Sequence, residues 1–423
     1  MEMKPGRRNG NGNAEPQLGN NPTAKPGLGA PGVAARIPAG YKLTEVGVIP
    51  GDWEVKSIAQ IAPLQRGFDL PTYRLKEGPY PVVYSNGIMT FHNKAMISGP
   101  GVITGRSGTL GNVHFVETDY WPHNTSLWVT NFYGNDARYV FYLYNSINFE
   151  RFASGSGVPT LNRNDAHAFR IALPPTKAEQ SAIAEALSDA DALIESLEQL
   201  IDKKRHLKQG AMQELLTGKT RLRGFGGEWK VKRLEELADI RNGGTPSTAQ
   251  PQFWDGDIPW CTPTDITGLN GCKYLSDTSR KISLLGLKSS SADVIPTKSV
   301  IMTSRATIGE CAINRVPVST NQGFKNFVPF EHVDVEFLYY MLRTQKQGFV
   351  ALCGGSTFLE IGKTQLVSFE VRVPDAKAEQ SAIATILSDM DTEIAALEEK
   401  LAKARQLKQG MMQELLTGRI RLL

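Results

Sequence analysis

The segment that comes nearest to a reactive motif is "TFLEIGKT" (Thr357–Thr364), which ends in Gly362-Lys363-Thr364. A phosphate-binding loop ends this way, with the lysine on the terminal phosphates and the hydroxyl on magnesium. Such a loop also needs a glycine five residues before the second one, and Thr357 stands there instead. Without it the backbone cannot wrap a phosphate, so Gly362-Lys363-Thr364 reads as a turn. Methyl transfer to adenine would need an N/D-P-P-Y/F motif. The sequence offers only "NPTA" near its start and "LPPT" before a helix. "PDAKAE" (Pro374–Glu379) reads as a helix cap and does not form a nuclease core. The four cysteines, Cys261, Cys272, Cys311 and Cys353, have no C-x-x-C spacing and no histidine pair beside them. They read as free thiols in a reducing cytoplasm, with no metal site. The residues therefore point to a chain that binds and does not cut, methylate or hydrolyse.

The bulk properties agree with binding but do not specify it. A chain of 423 residues is too long for one core, so two or more domains are expected. Its 41% hydrophobic and 21% charged residues are those of an ordinary soluble protein, and no apolar run approaches a membrane span. The net charge of +4 permits nucleic-acid binding without arguing for it. Residues 1–38 are rich in Gly, Asn and Pro and read as a flexible, low-complexity tail, not a secretory signal.

Organisation is the strongest signal. "LKQGAMQELLTGKTRL" (Leu207–Leu222) recurs as "LKQGMMQELLTGRIRL" (Leu407–Leu422) with three of sixteen positions changed. The match extends back without a gap to "KAEQSAIA" at Lys177 and Lys377. Within each copy the apolar residues follow a 4-3-4-3-4 spacing. They are Ile183, Leu187, Ala190, Ile194, Leu197 and Ile201, then Ile383, Leu387, Met390, Ile394, Leu397, Leu401 and Ala404. That spacing is a seam for one partner helix, and the other copy is the expected partner. Thr176 with Glu179 is expected to cap the first helix and Asp375 the second, with Gly218 and Gly418 stopping them.

Between these helices the texture changes to short β-branched and aromatic runs broken by Gly, Pro, Asn and Asp, as in "VVYSNGI", "GVITG", "SVIMTSR" and "FEVRVP". The expected fold class is α+β: two α/β domains, at 39–175 and 219–374, separated by two long helices at 176–218 and 375–418. Residues 419–423 form the end of the chain. The helices would form an antiparallel coiled coil, giving the molecule an approximate two-fold axis.

This order of parts resembles the specificity subunit of type I restriction-modification enzymes. The resemblance rests on "GYKLTEVGVIPGDWEVKSI" (40–58), "LPPTKAEQSAIA" (173–184), both QELLTG units and "IRNGGTPSTAQPQFWDGDIPWCTPTDI" (240–266). It covers nearly everything from residue 40 onward. It implies two target-recognition domains, each reading half of a split site in double-stranded DNA. The helices would set the spacer and dock two methyltransferase subunits, which two motor-nuclease subunits then join. S-adenosylmethionine, ATP and magnesium would sit on those partners, with none in this chain. A cytoplasmic phage-defence role follows, with no membrane. Two other readings stay open: a related system whose partner fuses methylation and cleavage, and a coiled-coil scaffold for proteins.

If DNA is the target, contacts are expected in polar loops at matching places. In the first domain these are Arg106, Ser107 and Thr109, then His123, Asn124 and Thr125, then Asn162 and Arg163. In the second they are Thr245 and Ser247, then Ser304, Arg305 and Thr307, then Asn321, Gln322 and Lys325, and finally Lys363. Arginine can grip guanine with two hydrogen bonds, and Asn or Gln suits adenine. The same Asn and Thr residues could instead cap turns. Arg106 and Arg305 each follow a strand in an equivalent place. Trp121, Trp128 and Trp260 are expected in the core, and His206 on the helix surface.

Overall fold

The computed structural model describes residues 37–155, 159–305, 307–353 and 359–422. The expected tail, except for its last two residues, lies outside the described residues, as do residues 354–358, Thr357 among them. Among the described residues, no helix is long and apolar enough to cross a membrane.

Two 39-residue helices, Lys177–Leu215 and Lys377–Leu415, organise everything else. At 1.5 Å per residue each is about 58 Å long. They run antiparallel, as their ion pairs require. Arg205 meets Glu398 at 2.7 Å while Arg405 meets Glu198 at 2.5 Å, and Lys208–Asp391 is matched by Lys408–Asp191. Each pair is the image of the other under exchange of the two copies, which is a molecular two-fold axis written in salt bridges.

The apolar seam divides by position. In the middle, Ile201, Ile394 and Ala404 are buried while Ile194, Leu197, Leu397 and Leu401 are half-buried, so helix faces helix there. Towards the helix starts, Ile183 and Leu187 enter the core of the first domain and Ile383 and Leu387 that of the second. The far ends cross over. Leu415 and Leu416 complete the first domain's core, and Leu215 and Leu216 the second's. Each domain is therefore seated on the start of its own helix and the end of the other.

Capping only partly follows expectation. Thr176 Oγ1 accepts from the Glu179 N–H at 3.2 Å, but the Glu179 carboxylate turns away to Arg421. Asp375 does not cap the second helix; Ala376 holds that position without a side-chain bond. Lys230 and Lys232, each at 2.8 Å, hold the Asp375 carboxyl at about 2, far below its ordinary value. Both stops are as expected. Gly218 and Gly418 have φ near +70°, and a Cβ there would lie 3.0 Å from Trp229 and 2.6 Å from Pro50 respectively.

The domains share a skeleton. In the first, a four-stranded sheet orders Leu64–Arg66, Ser126–Val129, Gly101–Gly105 and Val113–Val116. In the second, Ala238–Asn242, Phe324–Pro329, Val300–Thr303 and Cys311–Asn314 take the same order, with Tyr274–Leu275 added at the edge. A two-stranded ribbon closes each domain, pairing Glu54–Ser57 with Arg170–Leu173 and Lys230–Arg233 with Glu370–Val373.

The duplicated "AEQS" explains how each domain is held to its helix. Gln180 Oε1 accepts from the Asp136 N–H at 2.9 Å, and Gln380 Oε1 from the Asp334 N–H at 2.9 Å. Both aspartates cap the domain helices Ala137–Asn145 and Val335–Thr344, and both accept from the next serine, Ser181 or Ser381.

Candidate nucleic-acid interface

In each domain one corner gathers several of the polar loop residues. It lies where the strand Gly101–Gly105 or Val300–Thr303 ends, against the turn before the short helix Arg163–Ala168 or Lys363–Val367. In the first domain this corner is a cleft of about 360 Å³ whose lining includes Arg66, Arg106, Leu127, Asn162 and Arg163. Arg66 pairs with Asp69 at 3.1 Å. Arg106 and Arg163 have no acidic partner among the described residues, so their guanidinium groups are available to an incoming anion or acceptor.

The backbone decides which residues of the two corners match. The Arg106 carbonyl accepts from Leu161 N–H at 2.8 Å, whereas in the second domain it is the Ser304 carbonyl that accepts from Ile361 N–H at 3.1 Å. Ser107 bridges Thr160 as Arg305 bridges Glu360. Arg106 therefore corresponds to Ser304, and Arg305 to Ser107, one residue further on. The expected equivalence of the two arginines is off by one, and side chains alternate direction along an extended strand. Arg106 opens onto its cleft, while Arg305 pairs with Glu360 at 2.8 Å. The same pairing makes Leu127, opposite Thr104, the counterpart of Lys325, opposite Met302. The second corner thus draws its inner cation from a different strand.

Several other residues are placed within the fold's own bonds. Asn162 caps the helix Arg163–Ala168, accepting from Asn164 N–H at 3.0 Å and donating to Asp165 at 2.7 Å. Asn162→Ala is expected to cost about 1 kcal/mol of stability, which thermal unfolding would check. The His123 ring packs at a tilt against Tyr84, centroids 4.3 Å apart, and its Nδ1 lies 3.0 Å from Thr125 Oγ1; burial lowers its pKa, opposed by nearby Asp69. Asn124 donates to Asp69, and Thr245 to Gln322. Asn321 accepts from Gly323 N–H at 2.9 Å, and Thr303 Oγ1 donates to the Thr307 carbonyl. Ser304 and Lys325 lie beneath the surface, and burial pulls the Lys325 pKa down. Thr109, Ser247, Gln322 and Lys363 are exposed. Trp260 is buried and Trp121 and Trp128 are half-buried, as core residues would be; His206 is exposed.

Arg66, Asn242 and Glu360 also belong to these corners and were not picked out from the sequence. Arg66 lies across from Leu127, and Asn242 across from Lys325. Only the sheet register brings them there, and no local motif marks them.

The comparisons with known proteins fit this architecture. The family described as type I restriction modification DNA specificity domain matches residues 50–203 and 226–406, one block per domain and helix. The chain belongs to this family. The MjaIX specificity subunit of Methanocaldococcus jannaschii is 38% identical over 166 residues. That alignment takes in 39% of this chain and only 38% of the relative's length. The putative MjaX specificity subunit of the same organism is 24% identical over 423 residues, covering 90% of this chain and 96% of that protein. Among solved structures, the type I S subunit from M. genitalium superposes with a TM-score of 0.59 at 16% identity, covering 88% of this chain and 97% of that one. It shares the fold of two domains joined by paired helices.

Proposed function

We propose that this type I specificity subunit reads a bipartite site in double-stranded DNA, one half per domain, and carries no catalysis itself. The observation that supports this most directly is the pair of cationic corners. They occupy one structural place in two domains that an antiparallel helix pair relates by an approximate two-fold. A two-fold pair of readers meets the duplex from opposite strand directions and leaves an unread spacer between the half-sites. Phosphate contacts supply affinity, and base-edge contacts from the corners supply specificity.

Recruitment of partners is supported by the helix surface. Gly210 and Gly410 lie in mid-helix, where glycine costs about 1 kcal/mol relative to alanine. A Cβ at either would meet nothing within 4 Å, so nothing in this chain requires glycine there. Beside them Leu207 and Leu407 are 51% and 61% exposed. Two similar apolar notches related by the two-fold suit two copies of one partner, read as the methyltransferase subunits. The motor-nuclease subunits would follow, and S-adenosylmethionine, ATP and magnesium would be bound by those partners.

Methylome sequencing of a host carrying this chain and its methyltransferase partner, with a deletion control, tests the reading. Arg106→Ala is expected to relax one half-site only and Arg305→Ala the other only. The loss of discrimination should reach roughly five- to hundred-fold, as for one good base contact. Loss of both half-sites together, or of neither, would contradict it.

A further inference from the structure

Lys325, on the strand Phe324–Pro329, is 5% exposed, and among the described residues its ammonium makes only two long contacts. The nearest acceptors are Ser304 Oγ at 3.5 Å and the Glu360 carboxylate at 4.0 Å. An ammonium has three donors to satisfy, and a buried charge without close partners is costly. Folding does not require a cation here, since Leu127 fills the matching place in the first domain. A lysine in this position is suited to a group that arrives from outside.

Glu360 stands beside it, where the first domain has Thr160. Its carboxylate is half-exposed and is held in place by Arg305 Nε at 2.8 Å. Two cationic donors and one carboxylate acceptor therefore meet at the second corner, Arg305 and Glu360 at its mouth and Lys325 beneath them. A phosphate would suit the cations but would be repelled by Glu360. A G·C pair suits all three groups. In the major groove guanine offers the acceptors O6 and N7, and cytosine offers its N4 amino donor.

Building on the DNA-reading function above, we propose that Lys325, Arg305 and Glu360 commit the second domain to a G·C base pair. Lys325 or Arg305 donates to guanine, and Glu360 accepts from the cytosine amino group. The first corner, with Arg66, Arg106 and Arg163, has Thr160 in the place of Glu360.

The test uses the complete complex with the methyltransferase partner. Its wild-type target comes from methylome sequencing, and binding is then measured on duplexes with each pair of the second half-site replaced in turn. The wild-type half-site is expected to contain an invariant G·C pair. Glu360→Gln should reduce discrimination at that one pair about tenfold or more, and Lys325→Leu, which copies Leu127, should do the same. All pairs of the first half-site should keep their wild-type discrimination. A second half-site without an invariant G·C pair would overturn the proposal. So would an equal loss of affinity for every duplex, since that describes a phosphate contact or a packing role. A wild-type complex that methylates no bipartite site gives a separate result, which overturns the functional reading beneath the proposal.

Discussion

Deleting Glu195–Ile201 together with Ala395–Leu401 is expected to shorten the spacer of the proposed DNA site by about three base pairs and to leave both proposed half-sites unchanged. Seven residues of helix rise about 10.5 Å, and successive base pairs rise about 3.4 Å. Seven residues are also one repeat of the seam, so the remaining apolar positions return to nearly the same face. Both helices must be shortened because they are antiparallel. With both deletions, Asp191 still reaches Lys408 and Asp391 still reaches Lys208, since each pair lies wholly on one side of the excised centre. A deletion in one helix alone throws those pairs out of register and is expected to give an inactive or unstable protein. Methylation mapping of the double deletion reads the spacer directly. An unchanged gap would show that the helices do not set the distance between the readers.

Arg421→Ala is expected to destabilise the molecule by about 3–5 kcal/mol. Arg421 clasps Glu179 at the start of the first long helix and Asp52 near the start of the first domain, the latter at 2.9 and 3.0 Å. The Glu179 side chain is almost wholly buried, so removing its partner leaves a carboxylate in the interior with no cation. The Asp52 carboxyl, held below its usual range by the same guanidinium, is exposed to solvent and adds little. Arg221 performs the equivalent task in the second domain, bonding Glu379 at 2.7 and 2.8 Å while Trp229 Nε1 donates to the same carboxylate at 3.2 Å. In one domain this clasp is made by the segment joining helix to domain. In the other it is made by residues almost 370 positions apart, Asp52 and Arg421, which meet only after folding. Arg221→Ala should therefore cost a similar amount, and urea unfolding of the two variants compares them. A loss below 1 kcal/mol in either would show that solvent reaches the buried carboxylate.

The long helices were legible because their information is local and written twice. The 4-3-4-3-4 spacing of Ile183 through Ile201 and its copy fixed a helix with one seam, and two like seams in one chain implied pairing. The stops at Gly218 and Gly418 were equally readable, since a left-handed residue after a helix calls for glycine whatever surrounds it. The cap at Asp375 was misread because its carboxylate answers to Lys230 and Lys232, nearly 150 residues earlier.

By itself the sequence determined two repeated units, a long helix with one apolar seam in each, and sheet-rich blocks differing in polar decoration. The tertiary structure alone decided which polar residues stand at each corner. "TGRSGT" and "TSRAT" align by eye on their arginines, yet the hydrogen bonds set Arg106 against Ser304 and turn Arg305 towards Glu360. Strand register causes this difference. It is fixed by pairing between distant segments, and because side chains alternate with period two, a shift of one residue reverses which face each one meets.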